Sequence, residues 1–212
     1  MSKGTIQIID SVDSVKAKIN FAFREEVDKR MKAAAPLIEA RAGTLIASRL
    51  ISTPHARSIL GGKLKVDFGL SDAVATSALI ELISAVKKSI RVQLKKTQGS
   101  TLVFSMSISI LPEGLSSVLS VIGNYSSNGH EIGWMEWLLT KGVEIIIDDY
   151  FVAYGLSSPN SRSGGGIMVK SGTSGRHFRV DPAFAGTEND NFVINTIRES
   201  LPEIGQIMRS YL

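Results

Sequence analysis

The sequence predicts an α+β fold in which N-terminal helices pack on a small antiparallel sheet and a C-terminal helix closes the structure. Apolar residues recur every three or four positions through most of residues 1–100, whereas residues 101–180 contain runs in which apolar and polar residues alternate. The helical spacing returns from Asn191 onward and predicts the closing helix. No internal repeat and no long linker divides the 212 residues, so we expect a single domain over 1–212, mainly helical in 1–100, with the sheet and the C-terminal helix in 101–212.

The helices of the first half follow from apolar spacing and from capping residues. Residues 4–9 are short and β-branched, which indicates a brief strand or an extended arm. An amphipathic stripe then begins, made of Val12, Val15, Ile19, Phe23, Val27 and Met31. Pro36 is expected to kink this helix or to begin a new one. The pattern stops near residues 53–54, residues 63–70 remain open between helix and strand, and Ser71 caps a further helix that runs into a basic stretch.

The strands of the second half follow from alternation and turn residues. Residues 102–111 alternate strictly and predict a half-buried antiparallel strand, and residues 143–154 predict a second strand. Residues 167–170 and 177–180 predict a third and a fourth strand around a Gly-Ser-rich turn, in a sheet of three to five strands. Short helices are predicted near 115–122 and 132–139, and residues 157–179 are predicted to protrude as a hairpin loop.

Composition excludes several classes of site. Cysteine is absent, which excludes disulfides, thiolate zinc sites and cysteine nucleophiles, and the only histidines are His55, His130 and His177. No apolar run reaches the roughly 20 residues of a membrane span, and residues 1–10 do not resemble a signal peptide. We therefore expect a protein that is made in the cytoplasm and does not enter a membrane.

The sequence gives little support for a catalytic or phosphate-binding motif. Asp148 and Asp149 are adjacent strand residues, whose side chains point to opposite faces. The glycines at 164–166 are followed by no Lys-Ser/Thr pair and open no helix, which indicates a flexible loop instead of a phosphate site. No G-x-S-x-G elbow surrounds a serine. We predict that the chain is not an enzyme and has no cofactor and no metal.

Charge is distributed unevenly along the chain. Residues 1–100 contain 17 basic and 9 acidic side chains, a net of +8, while residues 101–212 contain 7 basic and 11 acidic ones, a net of −4. The halves attract each other either within one chain or between neighbouring copies, or else most of these charges are solvated and contribute little. The strongest basic patch consists of Lys87, Lys88, Arg91, Lys95 and Lys96.

This basic patch admits three interpretations. It is a solvated or subunit-contacting helix end, a dedicated nucleic-acid site, or one segment of a pore lining that DNA passes without being read. No aromatic residue lies among these basic residues, so stacking on the bases of single-stranded nucleic acid is not supported.

Two segments resemble virion proteins of long-tailed bacteriophages that are encoded among head–tail joining genes. One runs from Pro54 through the sequence PHARSILGGKLK to Phe68 and Gly69. The other runs from Ser161 through the sequence FRVDPAFAGT, which begins at Phe178, to Ile197. Together they cover about half of the chain.

The resemblance implies a neck or tail-completion protein at the head–tail junction of the virion, assembled as a sixfold or twelvefold ring around double-stranded DNA. It implies portal or connector proteins and tail proteins as partners, and leaves open a tail terminator that caps the tail tube. The second class of function is a nucleic-acid-binding accessory protein that uses residues 87–96. Candidates for subunit or partner contacts around the 157–179 hairpin are Arg162, Lys170, Arg176, Arg179 and Asp181.

Overall fold

The computed structural model describes residues 11–95, 105–110, 124–127, 130–155, 161–172 and 176–211. Its helices are α1 (Val12–Ser52), α2 (Pro54–Gly61), α3 (Lys63–Asp67), α4 (Asp72–Ser89), α5 (Trp134–Thr140) and α6 (Phe192–Arg209). Its strands are β1 (Ile90–Lys95), β2 (Ser105–Ile110), β3 (Asn124–Ser127), β4 (His130–Gly133), β5 (Ile145–Asp148), β6 (Tyr150–Tyr154), β7 (Gly166–Lys170) and β8 (His177–Arg179). The predicted α+β class is confirmed. The elements predicted at 4–9 and 115–122 lie outside the described residues.

Helix α1 is one continuous helix of 41 residues. Ser11 caps it, because its side-chain oxygen accepts a hydrogen bond from the Ser14 backbone N–H. Pro36 lies inside the helix, so the alternative that Pro36 begins a new helix was wrong; the helix-favouring alanines that precede Pro36 offset part of the cost of one missing hydrogen bond. The helix ends before Pro54, where Thr53 adopts an extended conformation and caps α2.

The hydrophobic core lies on the C-terminal half of α1. Its buried face there includes Ile38, Ala42, Ile46 and Leu50, and α4, α6 and β1 pack against this half. Gly43 lets α4 approach closely, since a Cβ atom at this position would lie 3.3 Å from Cγ of Lys87. These contacts make the second half of α1 the central element of the fold.

Helix α6 runs antiparallel to α1. The Arg49 guanidinium donates to the Glu199 carbonyl oxygen at 2.8 Å and forms an ion pair with Glu203. Nearer the C-terminus, Arg41 lies over the ring of Tyr211, 5.7 Å from its centroid. The two helices therefore meet along about two turns of α1, and residues of α1 before Arg41 extend beyond the end of α6.

The strands pair two by two in the described residues, so the prediction of one sheet of three to five strands was wrong. The antiparallel ladders are β1–β2, β3–β4, β5–β8 and β6–β7. The β1–β2 and β6–β7 ladders pack on different helices, since β1 contacts α1, whereas β6 and β7 contact α3. The β5–β8 and β6–β7 ladders are neighbours, because β6 also contacts β8.

The predicted strand at 143–154 is interrupted at Asp149, which has a left-handed backbone with φ of 59°. Its two parts, β5 and β6, pair with β8 and β7 respectively. The third and fourth predicted strands therefore pair with the two parts of this strand, and not with each other around the intervening turn. The short Asp side chain tolerates the left-handed conformation that makes this break.

The N-terminus of α2 packs against the start of α6 through a stacked histidine. The His55 ring lies parallel to the Phe192 ring, with centroids 4.7 Å apart, and edge-on to the Phe184 ring at 5.3 Å. Burial lowers the pKa of His55 below its ordinary value, although a hydrogen bond to the backbone of Phe184 acts in the opposite direction.

The buried His55 predicts a loss of stability in mild acid. Because its pKa is lower in the folded chain, the unfolded chain takes up the proton first, so stability is complete above about pH 6.5 and falls as the pH decreases below it. We expect His55→Gln to lower the melting temperature at pH 7.5 but to reduce the further drop between pH 7.5 and 5.5, measured by thermal denaturation. The wild-type chain is the reference, and an equal drop in the wild type and in His55→Gln contradicts the prediction.

Candidate functional site

Four polar side chains from distant parts of the chain form a network between α3 and the β6–β7 hairpin. The Lys63 ammonium donates to the Asp67 carboxylate at 2.9 Å and to the Tyr154 hydroxyl at 2.8 Å. The Tyr154 hydroxyl in turn donates to the other oxygen of Asp67. Asp181, after β8, completes the network at 3.6 Å from Lys63. The Asp67 side chain is only 4% exposed, so its charge depends on these partners.

The network raises the pKa of two of its members, Lys63 and Tyr154. Partial burial by itself lowers the pKa of Lys63, but the hydrogen bonds to Tyr154 and Asp67 raise it above its ordinary value. Burial and the hydrogen bond to Asp67 raise the pKa of Tyr154. At neutral pH the lysine is charged and the tyrosine keeps its proton, so both donate to Asp67.

The predicted hairpin residues do not form one site. Arg162 lies against Gly69, which follows the end of α3, since a Cβ at this position would be 3.3 Å from its guanidinium. Partial burial lowers the pKa of Arg162. Lys170 lies opposite Tyr150 at the other end of the β6–β7 ladder, about 13 Å away over four strand residues. At that end Arg176 covers the Phe151 ring at 4.6 Å from its centroid.

Asp181 and Arg179 have different surroundings. Asp181 accepts a hydrogen bond from the Ala183 backbone N–H at 2.9 Å and faces Lys63, so within this chain it stabilises a turn. Arg179 is exposed on β8, opposite Ile145. Of the five predicted contact residues, Lys170, Arg176 and Arg179 are the most open to a partner.

Sequence reasoning missed Lys63, Asp67 and Tyr154. The available signal was the four-residue spacing of Lys63 and Asp67, which places them on one face of a helix once residues 63–67 are helical. Tyr154 carried no such signal, because it reaches Asp67 from 87 positions away.

The two segments that carry the resemblance pack on each other. Val66 of α3 lies against the backbone of Gly165 and Gly166, where any Cβ would come within 2.8 Å of its methyl groups. Lys63 meets Asp181 in the same region, and His55 stacks between residues of the 178–197 segment. The described residues of these two segments, 54–69, 161–172 and 176–197, therefore form one joint unit of the fold.

The basic patch was wrongly predicted to be a helix end throughout. Helix α4 stops at Ser89, and β1 follows with Ile90, Val92 and Leu94 alternating with polar residues. The Glu39 carboxylate accepts a hydrogen bond from the Val92 backbone N–H at 2.8 Å and holds this strand on α1. The apolar spacing of α4 runs without a break into the strand pattern, which concealed the boundary.

The patch residues are distributed over a helix end and a strand. Lys87 and Lys88 are exposed in the last turn of α4, where they also favour the helix dipole. Arg91 is exposed on β1 and donates to its neighbouring carbonyl oxygen. Lys95 ends β1, and Lys96 lies outside the described residues.

The N-terminal half of α1 carries an apolar stripe that the rest of the described chain leaves uncovered. The first buried residue of the helix is Met31. Before it, Val12, Val15, Ile19 and Phe23 are 69%, 40%, 61% and 54% exposed. We call residues 12–30 the overhang; at 1.5 Å per residue it extends about 28 Å.

The remaining titratable residues form no larger cluster in the part of the chain that the structure describes. Asp148 pairs with His177 across the β5–β8 ladder at 2.9 Å, while Asp149 occupies the adjacent turn. No group of three or more histidine, aspartate or glutamate side chains in the described ranges is placed to hold a metal ion. None of the helices described has the length and apolar character needed to cross a membrane.

Comparisons with protein-family models, with curated proteins and with solved structures find no match.

The buried carboxylate of Asp67 predicts a specific stability loss. Asp67→Asn removes the charge that Lys63 and Tyr154 share, and charge-assisted hydrogen bonds contribute about 1.5–3 kcal/mol. We expect a decrease of about 2 kcal/mol in the free energy of unfolding, measured by urea denaturation. The matched control is Asp72→Asn, since Asp72 is 87% exposed in its pair with Lys65 and its loss is expected to cost less than about 1 kcal/mol. Equal losses in the two variants contradict the prediction.

Proposed function

We propose that this chain is a structural virion protein of the bacteriophage neck, where copies form a ring around the DNA channel and join the head to the tail. The observation that carries the proposal is the exposed apolar stripe on the overhang. Large contiguous apolar surfaces on a chain mark places of contact with other proteins. Helix α1 presents this stripe beyond the body of the fold. An exposed stripe of this kind favours a structural protein that assembles with neighbouring proteins.

A second observation supports the same proposal. The two segments that resemble head–tail joining proteins pack together through their described residues, in spite of their distance in the sequence. A resemblance spread over segments that fold against each other carries more weight than scattered matches, because it concerns one structural element. Portal or connector proteins and tail proteins are the proposed partners, and the virion is the proposed location.

The location in the particle tests this proposal. We expect a cryo-EM map of the intact source particle to contain the α1–α6 body at the junction of capsid and tail, in several copies around the channel. Density next to the portal indicates a neck ring, and density only on the tail tube indicates a tail terminator. A junction fully accounted for by other polypeptides overturns the proposal.

The alternative function, nucleic-acid binding, is favoured by one feature of the structure. Lys87, Lys88 and Arg91 are all exposed within five residues of each other, and neither lysine forms an ion pair with another described residue. Clustered cations attract phosphates without reading sequence. In the ring this patch is proposed to face the DNA channel; in the alternative it is the main binding site.

Salt dependence separates these two roles. If the patch alone binds DNA, replacing Lys87, Lys88 and Arg91 by Gln makes the plot of log affinity against log salt less steep by about 3, measured by fluorescence anisotropy with a short duplex. For a ring subunit we expect weak binding by the isolated chain and little change in slope. The matched control replaces the exposed Lys141, Lys170 and Arg179 by Gln, which removes the same charge elsewhere. Tight binding lost only in the patch variant supports the alternative.

A further inference from the structure

One side of α1 is exposed from the tip of the overhang to the body of the fold. We call this surface the outer face; its members are Val12, Val15, Ile19, Phe23, Glu26, Arg30, Ala33, Leu37, Arg41 and Thr44, and all of them are exposed. At about 3.6 residues per turn they all lie within about 80° around the helix axis. At about 1.5 Å per residue the outer face extends about 48 Å.

The outer face is complementary to itself when the helix is reversed. Its midpoint lies at residue 28, between Glu26 and Arg30. A second copy that is turned end for end about this midpoint places each residue level with the one at the same distance on the other side. The pairs that become level are Glu26 with Arg30, Phe23 with Ala33, Ile19 with Leu37, Val15 with Arg41 and Val12 with Thr44.

We propose that two copies of the free chain pair through the outer faces of α1, antiparallel to each other and related by a two-fold axis at residue 28. Such a contact uses the same surface of both copies, so it is closed and does not extend into a ring. The overhangs therefore separate before they contact other neighbours in an assembly. The inference does not rest on the proposed function, because a monomeric chain that is found at the head–tail junction refutes the pairing alone.

Charge selects the antiparallel alignment of the pair. Within one chain the Arg30 side chain donates to the Glu26 carboxylate at 2.8 Å, and the two side chains are 76% and 54% exposed, so each has surface left for a second partner. In the antiparallel pair, Glu26 of each copy lies beside Arg30 of the other. A parallel pair instead sets Glu26 beside Glu26 and Arg30 beside Arg30, and like charges at a contact disfavour that alignment.

Size and polarity match on either side of the midpoint. The large Phe23 side chain lies level with the small Ala33, which gives it room to pack between the helices. Ile19 and Leu37, which are 61% and 53% exposed in the single chain, cover each other. Because burial of apolar surface is the main stabilising contribution to such contacts, the pairing removes from water the stripe that the single chain leaves exposed.

Each end of the contact reaches a groove on the body of the other copy. This groove lies between α1 and α6, has a volume of about 590 Å³, and is lined by residues that include Arg41, Thr44 and Ile207. Val12 and Val15 of the second copy arrive level with Thr44 and Arg41 of the first. The tip of each overhang therefore fills an apolar groove that the single chain leaves open.

Charge reversal at the midpoint tests the alignment. We expect Glu26→Arg and Arg30→Glu each to weaken the dimer of the purified chain by about tenfold or more, measured by sedimentation equilibrium, because each places four like charges at the centre. The double variant, which exchanges the two charges, is expected to return to within about threefold of the wild type. The matched control is Glu25→Arg, the same charge change at an exposed neighbour that lies about 120° away from the centre of the outer face.

Three results of this experiment overturn the inference. They are a wild-type chain that stays monomeric at every concentration, an equal weakening by Glu25→Arg, and a double variant that is no tighter than the single ones. A further variant tests the ends of the contact: Lys16 lies next to Val15 at the edge of the outer face and arrives beside Arg41 of the second copy. Lys16→Glu is therefore expected to tighten the dimer by about threefold or more, and no change contradicts the placement.

Engineered cysteines test the geometry independently, since the natural chain contains none. Ile19 and Leu37 of one chain lie about 27 Å apart along α1, too far for a disulfide, but they are level across the pair. We expect Ile19→Cys with Leu37→Cys in one chain to give, on oxidation, a covalent dimer and nothing larger on a non-reducing gel. The matched control combines Leu37→Cys with Ile80→Cys, because Ile80 is also 61% exposed but lies on α4.

The size of the cross-linked product distinguishes the possible contacts. A ladder of multimers indicates a head-to-tail contact, and dimers of the Ile19→Cys single variant indicate parallel overhangs; either result overturns the inference. A monomeric double variant, or as much dimer in the control, also overturns it. All the changed side chains are exposed, so the melting temperature of the dilute, monomeric chain is expected to stay within about 2 °C of the wild type in every variant.

Discussion

The constraint on which the structure depends is that one helix, α1, is longer than the body it organises. Its 41 residues extend about 62 Å, whereas only the part from Met31 onward is buried. In that part Gly43 lets α4 and the start of β1 approach closely, and Ile38, Ala42, Ile46 and Leu50 are buried in the core. The overhang is held helical by its continuity with this body, because a short isolated helix in water is only marginally stable.

The apolar residues of α1 contribute differently to stability in the body and in the overhang. Burying a Val, Ile or Phe side chain stabilises a fold by about 1.5–3 kcal/mol. The apolar side chains of the overhang contribute little of this free energy, because they are largely exposed. In the proposed assembly, contact with a neighbouring protein covers the stripe, which couples the stability of each overhang to assembly.

The amphipathic stripe of α1 could be predicted from the sequence, but not what covers it. Periodicity reports which residues share a face, and Val12 to Phe23 follow the same spacing as the buried residues after Met31. Residues 90–95 were missed because the apolar spacing of α4 continues into them, and the break at Asp149 depends on a single backbone angle. The Lys63–Asp67–Tyr154 network is invisible to local patterns, since its members meet only when α3 and the hairpin are packed.

Ion pairs within the chain explain part of the opposite net charge of residues 1–100 and 101–212. Arg49 pairs with Glu203 and Lys63 with Asp181, so basic residues of the first half are neutralised by acidic residues of the second half within one chain. Self-complementarity therefore explains some of the asymmetry. It does not explain Lys87 and Lys88, which are exposed at the end of α4 without an ion pair in the described chain. Exposed charges act over about 8 Å at physiological salt, so these lysines influence only molecules that come close to them. In the proposed ring, such a molecule is a neighbouring copy or the DNA in the channel.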